Sequence, residues 1–316
     1  MFADRLIEKI RGYDNPSVAG LDPRLEYIPE HLRENAFREH GRGLEGAAAA
    51  ILDFNRGLID ALCDIVPAVK PQLAYYEMYG TEGIKAFCET VRYAGSRGML
   101  VIADGKRNDI GSTAEAYSSA FLGRNCLDGA QQPVFDADAL TVNPYLGIDG
   151  VRPFIEDCGK YGKGIFVLVK TSNKSSGQLQ DLKTESGNSI FEIVAGLVDE
   201  WGSGLSGKYG YSSIGAVVGA TYPEQAVILR QIMKKAYILV PGYGAQGGSA
   251  SDAARCFNSD GLGAIVNASR TIMCAWQSEK WSGRYGGREY DLAARAEAER
   301  MRDELREAIQ KIANRH

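Results

Sequence analysis

Histidine is scarce in this chain. There are three, His31, His40 and His316, and none lies at the end of an apolar run. A histidine-based catalytic triad or a His-rich metal site is therefore not expected, and the chemistry falls to Lys and Asp. The six cysteines, Cys63, Cys88, Cys126, Cys158, Cys256 and Cys274, form no CxxC pair. Wide spacing and helix-like surroundings read as buried free thiols in a reducing compartment. Excess positive charge is also missing: the formal net charge is −4, so no global basic footprint exists for nucleic acid. An anionic ligand must be held by local groups. No apolar run approaches the length of a membrane span. The N-terminal stretch from Met1 to Ile10 is amphipathic and contains acids, without the apolar centre of a signal peptide. A cytoplasmic protein that uses neither membrane nor nucleic acid is expected.

What is present is an ordinary globular composition, 45% hydrophobic and 24% charged, over 316 residues. Apolar, β-branched runs recur along the chain: 17–21, 68–70, 99–103, 139–143, 165–170, 214–220, 236–240 and 264–267. Most intervening segments carry helical spacing, as in Phe54, Leu58, Ala61 and Leu62, or Ala226, Leu229, Ile232 and Met233. Continuous apolar strands alternating with helices imply a parallel sheet covered on both faces. Eight such units predict an α/β protein, a single-domain (β/α)8 TIM barrel over residues 1–316. An N-terminal helix precedes the barrel. A long C-terminal helix over 289–315 follows it, with Met301, Leu305, Ile309 and Ile312 as its apolar stripe. The polar segment 172–189 reads as a long loop after the fifth strand, a common place for lids and binding loops.

The densest chemistry lies in Asp104-Gly105-Lys106-Arg107-Asn108-Asp109-Ile110-Gly111, directly after the third apolar run. Alternation along a strand puts Asp104 and Lys106 on one side, and Asp109 just past the strand's end. Carboxylates and ammonium groups crowded together must compensate one another. Such costs are commonly met in active sites, and a structural ion pair at a strand terminus is the plain alternative. Lys70, ending the second run, should face the barrel mouth, where a carboxylate such as Asp104 would keep it charged. Other strands end in Asp22-Pro23, Thr171-Ser172-Asn173, Pro241-Gly242-Tyr243-Gly244-Ala245-Gln246-Gly247-Gly248 and Ser269-Arg270. In a barrel all of these converge on the C-terminal face, where active sites lie.

Gly242, Gly244 and Gly247 spell GxGxxG, but after the seventh strand rather than in a first βα turn, and the eighth strand ends without the acidic residue of a dinucleotide site. A phosphate cradle is the better reading, with glycines admitting backbone N–H groups, Gln246 donating and Arg270 supplying a charged fork. The alternative is a Gly-rich turn beside a surface arginine. Ser112-Thr113-Ala114-Glu115 also fits a capping box, which would make Thr113 part of a helix start. Asp22 before Pro23 could be a turn residue alone.

Together these residues resemble the orotidine 5′-phosphate decarboxylase family, in its longer second (type 2) subfamily. Asp104-Gly-Lys106-Arg-Asn-Asp109-Ile110-Gly111 looks like the family's DxKxxDI signature, and the other strand ends fall in the family's order from about Val18 to Arg270. Lys174 departs from the pattern, since relatives often carry Pro after the Ser-Asn pair. The resemblance implies conversion of orotidine 5′-monophosphate to UMP and CO2, the last step of de novo pyrimidine nucleotide synthesis, without metal or organic cofactor. It implies catalysis by Lys106, Asp104, Lys70 and Asp109. Asp22 and Lys70 would bind ribose hydroxyls, Ser172 the pyrimidine, and Gln246 and Arg270 the phosphate, with Pro241 also at the substrate. Asp109 and Thr113 would reach into the neighbouring subunit's site, which implies a homodimer with shared sites. Two rivals remain: a Mg²⁺-dependent hexulose-phosphate synthase or related lyase of the same barrel group, and a catalytically silent phosphometabolite-binding barrel.

Overall fold

A computed structural model describes residues 1–313. Asn314, Arg315 and His316 lie outside the described residues, including the end of the expected C-terminal helix. Eight parallel strands close a barrel: β1 (Ser17–Leu21), β2 (Ala68–Pro71), β3 (Leu100–Arg107), β4 (Ala139–Val142), β5 (Gly164–Lys170), β6 (Ser212–Val218), β7 (Ala236–Val240) and β8 (Ala264–Ala268). Each strand pairs with its sequence neighbours, and β8 closes on β1 through Val18 and Asn267. This is the expected (β/α)8 architecture.

Alternation along the strands divides the apolar residues into two cores. Ala19, Val69, Val101, Leu140, Val167 and Ile238 point outward and pack under the surrounding helices. Val18, Leu100, Ile102, Phe166, Leu239 and Ile265 fill the barrel interior. The N-terminal helix, Phe2–Tyr13, inserts Phe2, Leu6 and Ile7 into this second core and so closes one end of the barrel. Phe2 meets Phe166 edge-on, with ring centroids 5.9 Å apart. Plugging that end leaves the opposite, C-terminal face open for a ligand.

The C-terminal helix runs Tyr290–Ala313. Met301 and Leu305 are buried as expected, whereas Ile309 and Ile312 at the end of the stripe are only partly covered. An antiparallel hairpin, Asn125–Leu127 with Ala130–Gln132, was not foreseen. The segment after β5 is more structured than a plain loop. It contains a 3₁₀ turn, Lys174–Gln178, and a bridge between Lys183 and Ser189.

Two local expectations are corrected. The stretch 112–115 forms no capping box, because the helix already starts at Gly111 with Ile110 as its N-cap. Asp109 makes the entry turn by accepting a hydrogen bond from the Ile110 amide at 2.8 Å. Thr113 is therefore an exposed first-turn residue. Capping boxes form instead at Ser189 with Glu192 and at Ser249 with Asp252. Finally, all six cysteines are free but only Cys158, Cys256 and Cys274 are buried; Cys126 is exposed because it lies on the hairpin.

Candidate active site

β3 continues past its apolar run to Arg107, but not as a regular strand. Its register with β4 shifts between Ala103 and Arg107, and Lys106 has φ of 47°. A non-glycine residue in the left-handed region is strained, and such strain clusters at functional sites. Thr141 of β4 holds the distortion by accepting from the Lys106 amide at 3.0 Å. Simple alternation thus gives the right neighbours for the wrong local geometry.

Asp104 is 7% exposed and is the hub of the site. Oδ2 accepts from Lys70 Nζ at 2.6 Å and from Gln72 Nε2 at 3.0 Å. Oδ1 accepts from Lys106 Nζ at 2.7 Å and from Thr141 Oγ1 at 2.8 Å. Burial alone would raise the Asp104 pKa, but Lys70 and Lys106 outweigh it and hold the carboxyl well below the usual range. Burial likewise works against the Lys70 ammonium, and the carboxylates of Asp104 and Asp22 overcome it, so its pKa is raised. Asp22 Oδ1 lies 4.0 Å from Lys70 Nζ. It is buried and has no hydrogen-bond partner among the described residues, as is Asn267 Oδ1 on β8. Unsatisfied buried acceptors need a donor, and a hydroxyl-bearing ligand would supply one.

These groups line a cavity of about 600 Å³ at the C-terminal ends of the strands. Asp22, Lys70, Asp104, Lys106, Ser172, Pro241, Gln246 and Arg270 all face it. Asp109 and Thr113 do not line it. On the far rim, Gly242, Gly244 and Gly247 take positive φ values of 96°, 70° and 94°. The amides of Gly244, Gly247 and Gly248 bond to the Gly248, Gly244 and Gly242 carbonyls and close the turn, while the Ala245 and Gln246 amides have no backbone partner among the described residues. Gln246 and Arg270 present exposed side-chain donors to the cavity from this rim.

Residues 51–280 match the sequence model of the orotidine 5′-phosphate decarboxylase / HUMPS family. The chain belongs to this family. It is 43% identical over 277 residues to the orotidine 5′-phosphate decarboxylase of Caldicellulosiruptor saccharolyticus, covering 88% of this chain and 90% of that one. Identity to the orotidine 5′-phosphate decarboxylase of Rhodopirellula baltica is 44% over 305 residues, covering 96% and 99%. The structure of Leishmania donovani OMP decarboxylase superimposes with a TM-score of 0.69 at 29% identity, covering 96% of this chain and 99% of that one.

Family membership fits the charged hub, yet several residues around it escaped sequence reasoning. Thr141 and Asn267 are single polar residues near the ends of apolar strands, and Gln72 follows Lys70 by two. A polar residue interrupting an apolar strand next to its C-terminal end is the signal that would have found the first two. Lys170 was also missed. Its side chain is fully buried, 2.7 Å from Asp181 Oδ1 and 4.4 Å from the Tyr222 ring centroid. Among the described residues, no cluster of three or more His, Cys, Asp or Glu has the arrangement of a metal site.

Proposed function

We propose that the protein decarboxylates orotidine 5′-monophosphate to UMP and CO2. The observation that carries this reading is Asp104 held between Lys70 and Lys106 at the floor of a cavity whose rim presents Arg270 and Gln246. Loss of CO2 breaks the C6–carboxylate bond and leaves its electron pair on C6, with no adjacent sink. Catalysis then rests on electrostatics that favour the transition state over bound substrate. Lys106 supplies the positive charge beside C6 and transfers its proton there, regaining one from water. Asp104 crowds the substrate carboxylate with like charge. Lys70, Gln72 and Thr141 keep Asp104 ionised and in place, so the arrangement needs little reorganisation as charge develops.

The remaining roles follow the lining of the cavity. Asp22 and Lys70 take the ribose hydroxyls, Ser172 the pyrimidine edge, and Gln246 and Arg270 the phosphate, with Pro241 shaping the wall between them. Asp109 and Thr113 do not line this cavity, which suits service to a neighbouring copy. The working unit we propose is a homodimer in which each site borrows Asp109 and Thr113 from its partner. The whole chain acts as one domain. No helix among the described residues is long and apolar enough to cross a membrane, and a cytoplasmic enzyme is the reading we adopt.

The test is a spectrophotometric assay with orotidine 5′-monophosphate in the presence of EDTA. Turnover to UMP is expected without added metal. Activity abolished by EDTA and restored by Mg²⁺ would favour a phosphosugar lyase of the same family, and UMP binding without turnover would favour a silent barrel.

A further inference from the structure

The loop Pro241–Gly248 is pinned from behind by the C-terminal helix. Tyr243 stands between Gly242 and Gly244, both in the left-handed region. It is 5% exposed, and its hydroxyl donates to Glu304 Oε2 at 2.6 Å. Burial and the Glu304 carboxylate both push the Tyr243 phenol up, so it holds its proton and remains the donor at neutral pH. Glu304 also accepts from Arg300 Nη1. Arg300 in turn grips Glu297 through Nη2 at 2.6 Å and Nε at 2.9 Å. Glu297 is 3% exposed and takes a further hydrogen bond from Trp281 Nε1 at 2.8 Å.

This chain of charges ends at the same place as the ligand cavity. A second cavity of about 420 Å³ lies between loop and helix, lined by Ala245 and Arg270 on one side and by Glu297 and Arg300 on the other. Arg270 therefore borders both spaces. A helix that needed only to cover the barrel could do so with its apolar face. Burying Glu297 costs desolvation unless its partners are held in good geometry. The arrangement is better matched to fixing the loop.

We infer that Glu304, braced by Arg300 and Glu297, is a positioning residue that acts through Tyr243 to set the rim carrying Gln246 and Arg270 for the substrate's 5′-phosphate. The inference rests on the decarboxylase reading and adds to it a support outside the barrel. A positioning role of this kind affects a phosphorylated ligand and leaves its unphosphorylated analogue alone.

The experiment compares UMP and uridine binding by calorimetry for wild-type protein, Glu304→Gln, Tyr243→Phe and the double variant. UMP affinity should fall about tenfold in each single variant, equivalent to about 1.4 kcal/mol. Uridine affinity should stay unchanged. The double variant should lose no more than either single one, because both remove the same link. KM for orotidine 5′-monophosphate should rise by a similar factor. Unchanged UMP affinity in both single variants would overturn the inference. So would equal losses for UMP and uridine, which indicate general damage to the site. Wild-type protein that holds UMP no better than uridine would overturn the decarboxylase reading itself, and the inference with it.

Discussion

Lys70 Nζ and Asp104 Oδ2 form a 2.6 Å ion pair in which both residues are buried, and each shifts the other toward its charged form. The signs define a pH window. The depressed Asp104 pKa contributes stability that is present above its unfolded value, about 3.9, and lost as pH falls through the folded value. The raised Lys70 pKa contributes stability that is present below its unfolded value, about 10.4, and lost as pH rises through the folded value. Between roughly pH 5 and 9 the pair's contribution should be flat. Asp104→Asn removes the main partner and leaves Lys70 buried beside Asp22 alone. The expected cost is about 3–5 kcal/mol at pH 7, read by denaturant unfolding. In that variant burial dominates at Lys70 and brings its pKa below the unfolded value, so stability should rise with pH between the folded and unfolded values, opposite to the wild type. A loss below about 0.5 kcal/mol would show the pair to be energetically idle.

Lys106 differs from Lys70 in being half-exposed at the cavity floor, with its side chain 45% accessible. Lys106→Ala should abolish turnover and leave UMP binding largely intact, since the phosphate is held elsewhere. Arg270→Ala should show the reverse emphasis, weakening UMP binding by roughly 1.5–3 kcal/mol through loss of a charge-assisted contact. A lowered maximal rate can accompany it if phosphate contact drives closure. Near-normal turnover in Lys106→Ala would remove that residue from the chemical step.

The barrel was legible because its strands are apolar on both faces. Runs such as Ala236–Val240 had nowhere to go but a doubly covered sheet, and their order made the ring. The charged hub was legible for the opposite reason, since Asp104 and Lys106 interrupt an otherwise apolar strand. Its geometry was not: the bulge at Lys106 depends on Thr141, a residue 35 positions away, and nothing local announces it. The glycine loop was found, but GxGxxG spacing does not say which of its amides close the turn; those of Gly244, Gly247 and Gly248 do. Tyr243 and Glu304 stand 61 positions apart, and their contact exists only once the C-terminal helix has packed.

Asp109 and Thr113 follow the same strand as the hub, yet neither lines the cavity. Service to a partner's site can be checked by complementation. Lys106→Ala and Asp109→Ala proteins, each inactive alone, are mixed and allowed to exchange subunits. One site of each heterodimer then carries both defects, and the other carries an intact Lys106 and an intact Asp109 from opposite chains. Activity should return toward one working site per heterodimer. No recovery despite demonstrated exchange would mean that Asp109 serves its own barrel or that the sites are not shared.

Lys170 gives the segment after β5 its fixed point. The ammonium is enclosed by the rings of Tyr222 and Phe191, at 4.4 and 5.7 Å, and reaches Asp181 across the segment at 2.7 Å. Gln180 completes the clamp, accepting from the Thr171 amide at 3.0 Å and donating to its hydroxyl at 2.9 Å. Thr171, Ser172 and Asn173 are thereby held against the cavity. Two substitutions separate tethering from stability. Asp181→Asn leaves a buried ammonium without its counter-charge and should cost about 1–3 kcal/mol, tempered by the partial exposure of Asp181. Lys170→Met removes the charge and keeps much of the volume, so its stability should lie closer to wild type. Both should raise KM for orotidine 5′-monophosphate, because both free the segment that carries Ser172. A Lys170→Met protein with wild-type KM would show that the segment holds its position without the ion pair.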